Sequence, residues 1–171
     1  MDKISFSKAH YITLGKKFHY AEQCIREGTM RFDWKEQSLE YIHDKKWDLL
    51  NQQIAKEMNF NKNATHDFNS LRAIAEAKSD EIWITRYNSY LWWGKLDGTP
   101  MKEDNTSKYR VIQGKWLNTD INGTELKIIK SGKKWFINNN FPTIARTMKY
   151  SATECSVKDR NALEMLLNGH Q

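Results

Sequence analysis

The residues with the most pointed chemistry lie in one stretch, DEIWITRYNSYLWWGKL, at residues 80–96. Read as two strands, 81–86 and 90–96, joined through Tyr87, Asn88 and Ser89, it sets Trp83 and Thr85 on one face against Ile82, Ile84 and Arg86 on the other. In the second strand Tyr90, Trp92 and Gly94 oppose Leu91, Trp93 and Lys95. Aromatic rings therefore fall on both faces. A single hydrophobic core uses one face well, so some of these rings are expected to meet solvent, a ligand or a covering element. An exposed ring is a stacking platform for a flat, π-rich ligand such as a nucleobase, worth about 1–3 kcal/mol per base. Arg86, Lys95, Arg110 and Lys115 would then lie near phosphates. The competing reading packs most of the seven tryptophans under helices.

Other chemistries are less well supported. Asp120 with Glu125-Leu126-Lys127 imitates the acid and Glu-x-Lys that hold a divalent cation in a metal-dependent nuclease. The spacing is too tight for two full strands, and a turn at Asn122-Gly123 accounts for the segment. His10, His19, His43, His66 and His170 show no metal-ligand spacing, and no Gly-x-Ser-x-Gly or glycine-rich phosphate loop occurs. Cys24 falls in a helical stretch and reads as a buried apolar residue. No catalytic centre, metal or cofactor is expected.

The elements that must position these residues can be read from periodicity. A short strand at 11–14 ends at Gly15; Phe18, Ala21 and Ile25 then recur at helical spacing up to Gly28, and a second strand spans 29–34. Residues 35–79 turn helical. Trp47, Leu50, Ile54 and Met58 form one stripe after an Asp44 cap, and Phe68, Leu71, Ile74 and Ala75 form another. Beyond the aromatic hairpin, strands are expected at 109–116 and 126–129, with short ones at 135–137 and 143–148. Ser156, with Asp159 three residues on, opens a last helix through Leu163, Leu166 and Leu167.

With 171 residues and 39% apolar content, the chain is expected to form one domain. A formal charge of +6 suits a partner with a phosphate backbone. No apolar run approaches a membrane span and the N-terminus carries no secretory pattern, so a cytoplasmic protein is expected.

Four stretches in order resemble EVE-type domains of the PUA-like superfamily. YITLGKKFHYAEQCIREGTMRFDW, residues 11–34, is similar to the family's opening strand, helix and Gly-led strand running into a Trp. DEIWITRYNSYLWWGKL resembles its Gly-Asp-Ile-Trp and Leu-Tyr-Trp-Gly strands, although Ser79 stands where the family has Gly. YRVIQGKW at 109–116 and PTIARTM at 142–148 resemble later strands. The helical stretch 35–79 is a second departure and reads as an insertion. The resemblance implies an α+β fold: a small twisted β-barrel with flanking helices. It also implies base flipping of a modified cytosine, methylated (as in 5-methylcytosine) or hydroxymethylated, from double-stranded DNA into an aromatic pocket.

Such domains serve as N-terminal targeting modules of modification-dependent restriction enzymes, which implies a nuclease domain in cis or in trans. Carried over by position, Trp34 and Tyr90 or Trp92 would be pocket rings beside Tyr87, and Asp33 would accept the cytosine exocyclic amine. Arg72 would lie at the pocket mouth, and Arg86 would contact the backbone or the base. Trp47, Trp83 and Trp135 are assigned to the core. An RNA-binding PUA-like module is the second reading, and a small nuclease using Asp120, Glu125 and Lys127 the third.

Overall fold

The β-branched and aromatic residues on either side of the insertion build a central sheet of four strands. The computed structural model describes residues 2–61, 63–149 and 153–170. β1 (Ala9–Ile12) is buried at all four positions, as a strand covered on both faces must be. It pairs in parallel with β3 (Ile82–Tyr87) and antiparallel with β9 (Glu154–Ser156), and β3 pairs with β4 (Tyr90–Lys95), giving the order β4-β3-β1-β9. Antiparallel β2 (Thr29–Phe32), β6 (Lys108–Val111) and β5 (Lys102–Glu103) form a second sheet, and β7 (Ile128–Ser131) with β8 (Lys134–Ile137) a hairpin. Bridges Leu96↔Ile112 and Trp93↔Leu117 tie β4 to the chain after β6, and Tyr90↔Lys127 ties it to β7. The fold is thus mixed α+β, with nine strands in open sheets and six α-helices among the described residues. None of those helices is long and apolar enough to cross a membrane.

Gly28 ends α1 (Ala21–Glu27) in the left-handed conformation, φ 65°, as a C-terminal glycine should. Residues 35–79 are helical as expected, divided into α2 (Leu39–His43), α3 (Trp47–Glu57) and α4 (Ala64–Glu76). The cap differs from expectation. The Ser38 hydroxyl accepts from the Tyr41 amide at the start of α2, while Asp44 ends that helix and pairs with Lys46 at 3.0 Å.

Leu50, Ile54, Leu71 and Ile74 bury their stripe against Trp83, Met30 and Ile12. Each such side chain contributes about 1.5–3 kcal/mol. The opposite face of the same sheet, Ile82, Ile84 and Leu91, packs on α5 (Pro142–Thr147) and α6 (Arg160–Leu167) through Ile144, Leu163 and Leu166. Both faces are therefore covered, and rings on both faces do not by themselves imply a ligand.

Two further expectations are corrected. Residues 143–148, expected as a strand, are mostly in α5: Pro142 sits in the first turn, where its fixed φ and missing N–H cost nothing. Ser156, expected as a helix cap, lies in β9, and the Asp159 carboxylate caps α6 by accepting from the Ala162 amide at 3.0 Å.

One buried polar cluster joins three segments of the central sheet. His10 on β1 stacks on Trp83, ring centroids 4.4 Å apart and 14° from parallel. Its Nδ1 lies 2.8 Å from Glu154 Oε1 and its Nε2 2.9 Å from Glu81 Oε2. Ionised carboxylates only accept, so both bonds form together when each ring nitrogen carries a hydrogen.

Candidate nucleic-acid interface

Three turns converge beside the C-terminal end of β3. In the first, Gly15 (φ 73°) precedes Lys17 (φ 56°) and Phe18 (φ 61°), and a Cβ on Gly15 would come within 2.6 Å of the Tyr20 ring, so only glycine fits. Asp33 Oδ2 accepts the Lys16 amide at 2.8 Å and the His19 Nδ1 donates to the Lys16 carbonyl at 2.8 Å, which holds Phe18 in place. The second turn is the two-residue loop Asn88-Ser89, with φ 48° and 64°, which closes the Tyr87↔Tyr90 pair as a type I′ turn does. The third is Gly132-Lys133 at the tip of β7–β8, where Gly132 supplies the positive φ of 56°. The Lys149 ammonium donates to the Lys133 carbonyl and ties α5 to this tip.

Arg86 stands at the centre of the three. Its guanidinium carbon is 4.8 Å from the Phe18 ring centroid and 5.1 Å from that of Trp135, so it packs against both rings, and the side chain hydrogen-bonds Tyr11. Its Nε is buried with no hydrogen-bond partner among the described residues. Two neighbouring hollows share Phe18 and Arg86 as a wall. The larger, about 570 Å³, is also lined by Thr13, Gly15, Asp33 and Lys149. The smaller, about 270 Å³, is completed by Tyr87, Ile128, Lys130 and Trp135. The larger volume suits a small-molecule-sized group.

Of the residues singled out from sequence, this cleft brings together Asp33, Arg86 and Tyr87. Trp34, Tyr90 and Trp92 line neither hollow. Trp34 (φ 109°) and Trp92 are half-buried against the Trp83 side of the core, and the Trp92 indole N–H donates to the Tyr87 carbonyl at 3.1 Å. Tyr90 is half-buried beside the bridge to Lys127.

The expected backbone cations scatter. Arg110 is 3% exposed and its donors are engaged by backbone carbonyls of Ile74, Ala75, Ala77 and Thr99, so it is withdrawn from any phosphate. Lys95 donates to the Ser5 carbonyl at 2.7 Å, and Arg72 pairs with Glu76 at 3.2 Å over the Trp47 ring. Lys115 is exposed, away from both hollows.

Phe18 and Trp135 were missed. Trp135, assigned to the core, is only half-buried; its cross-strand partner Lys130 carries a charge, which was the available signal that this face of the hairpin is not fully packed. Phe18 follows the helical spacing of α1 but precedes that helix, so nothing local marked it.

No protein-family model, curated protein or solved structure matches the chain. The family resemblance therefore rests on the quoted motifs alone.

The remaining chemistry-bearing groups are engaged locally. Asp120 Oδ1 accepts the Asn122 and Thr124 amides, each at 2.8 Å, and organises the turn. Glu125 pairs with Lys127 at 3.1 Å. Among the described residues no group of three or more His, Cys, Asp or Glu is placed to hold a metal ion. Burial pushes the Cys24 thiol up to about 11, and Cys155 likewise to about 11. At pH 8 each should carry roughly a hundredfold less thiolate than an ordinary cysteine. Iodoacetamide should label the unfolded chain rapidly and the native chain slowly; equal rates would show that Cys24 is reached without unfolding.

Proposed function

We propose that the chain is a DNA-binding module that captures one flipped, modified cytosine in the larger hollow, and that it targets a modification-dependent restriction system without being an enzyme itself. The observation that carries this reading is the wall of that hollow: the Phe18 ring, the Arg86 guanidinium packed against it and the Asp33 carboxylate on one cleft. A ring face can stack a base, a carboxylate can accept the cytosine amine, and a guanidinium can donate to the cytosine carbonyl. Lys16 and Lys17 border the same hollow with charge for the strand that delivers the base. The links from β4 to the second sheet and to β7 support a PUA-like barrel as the scaffold. On this reading the stacking role falls to Phe18 and not to Trp34 or Trp92.

Duplexes of one sequence carrying plain, 5-methylated or 5-hydroxymethylated cytosine should bind with unequal affinity, by roughly tenfold or more between the best and the plain duplex if one contact decides, about 1–3 kcal/mol. Asp33→Asn should weaken capture of all three bases, which share the exocyclic amine, while the fold persists by circular dichroism. Equal affinities for all three duplexes in the wild type would sink the reading, and tighter binding of single-stranded RNA than of any duplex would transfer it to RNA.

A further inference from the structure

We infer that Trp135, on the hairpin beside the base-binding hollow, is the scaffold of a phosphate cradle that receives a backbone phosphodiester of the bound strand. Three cations crowd this one indole. The Lys130 ammonium lies 4.4 Å from its ring centroid, the Arg86 guanidinium 5.1 Å and the Lys149 ammonium 5.4 Å. They come from three elements: β7, β3 and the chain just after α5. No carboxylate lies within ion-pair distance of any of them among the described residues, whereas Arg31, Lys108 and Lys127 all have such partners.

Like charges repel, and the quadrupole of a half-buried indole offsets only part of that repulsion. The arrangement is stable because the rings and the turn contacts hold it. The Trp135↔Lys130 register fixes the lysine over the ring, the Lys133 carbonyl draws in Lys149, and the Phe18 ring and Tyr11 hold Arg86. What the cluster lacks is an anion. A phosphodiester offers one negative charge and two free oxygens able to accept from several donors at once.

With cations over the indole, Trp135 serves as a charge scaffold and not as a second stacking ring. The inference rests on the cleft being a nucleic-acid interface, but not on which base the larger hollow prefers.

The test is the salt dependence of binding to a plain duplex, measured for the wild type, Lys130→Gln, Lys149→Gln and the double variant. Each lost phosphate contact should lower the slope of log K against log salt by about 1 and weaken binding uniformly for plain and modified duplexes. The cradle holds one phosphodiester, so the double variant should lose that single increment of about 1 and each single variant part of it, with affinity of the double variant at low salt down by roughly tenfold or more. Trp135→Leu, which keeps all three cations but removes their scaffold, should also weaken binding. Slopes equal to wild type in both single variants would overturn the cradle even if a preference for modified cytosine were found. Lowered slopes with no such preference would keep the cradle and remove the base-specific reading. If inorganic phosphate shifts the Trp135 indole N–H resonance, assigned by its loss in Trp135→Phe, while the duplex leaves it unmoved, the assignment to nucleic acid fails.

Discussion

Replacing His10 with alanine should lower the melting temperature by roughly 10 °C. His10, Glu81 and Glu154 are all less than a tenth exposed, and the imidazole is the shared partner of both carboxylates. Its removal leaves two buried anions, offset by Lys8, 3.9 Å from Glu81, and by the charge of Arg110 nearby. Breaking a buried ion pair by removing one partner costs about 3–5 kcal/mol, because the other charge is left uncompensated. The stacked face of Trp83 is lost as well. The penalty belongs to orphaned charge, so removing the charge should relieve it: His10→Leu with Glu81→Met and Glu154→Met should recover most of the stability. Thermal and urea unfolding of the single and triple variants decide the matter. A His10→Ala protein that melts within about 2 °C of wild type would show that water reaches the carboxylates and that the cluster is not a closed staple.

Arg110→Met should cost about 3–5 kcal/mol and loosen the end of α4 in particular. The last carbonyls of a helix have no intrahelical donor, and α4 has no basic residue in its last turn. The guanidinium, reaching across from β6, donates to Ile74 O at 2.7 Å, Ala75 O at 3.2 Å and Ala77 O at 3.4 Å, while Nε donates to Thr99 O at 3.1 Å. Burial pulls its pKa below the usual arginine value, but it stays charged at ordinary pH. Arg110→Lys should recover little, because one ammonium cannot span carbonyls that a planar fork reaches. Hydrogen exchange should rise at the C-terminal turn of α4 and at β6 before it rises in β1 or β3. Uniform exchange across the molecule, or a stability within about 0.5 kcal/mol of wild type, would mean that the carbonyls find other donors.

Much of the local structure was legible because it depends on spacing and on single turn residues. Trp83 and Thr85 do face away from Ile82 and Ile84, since a strand's period is two, and the Asn88-Ser89 turn holds that register. The stripes of Leu50 and Ile54 and of Leu71 and Ile74 are buried as their helical period requires, and Gly28 ends its helix. Residues 143–148 misled because their composition suits either state; Pro142 at the helix start decided it.

The aromatic hairpin drew attention as the place where chemistry was concentrated, and its residue types and alternation alone determined which rings share a face. Only the tertiary structure decided what each face meets. α3 and α4 cover one side and α5 and α6 the other, so Trp83 is core and Trp92 half-core. It likewise decided what each cation meets. Arg110 and Arg86 look alike in sequence, yet one is consumed by helix carbonyls and the other packs against Phe18 and Trp135. The physical reason is that periodicity reports the direction of a side chain along its own element, whereas burial and charge pairing depend on segments far away in the chain. Phe18, Arg86 and Trp135, which share no stretch of sequence, become neighbours only when three turns close on one edge of the sheet.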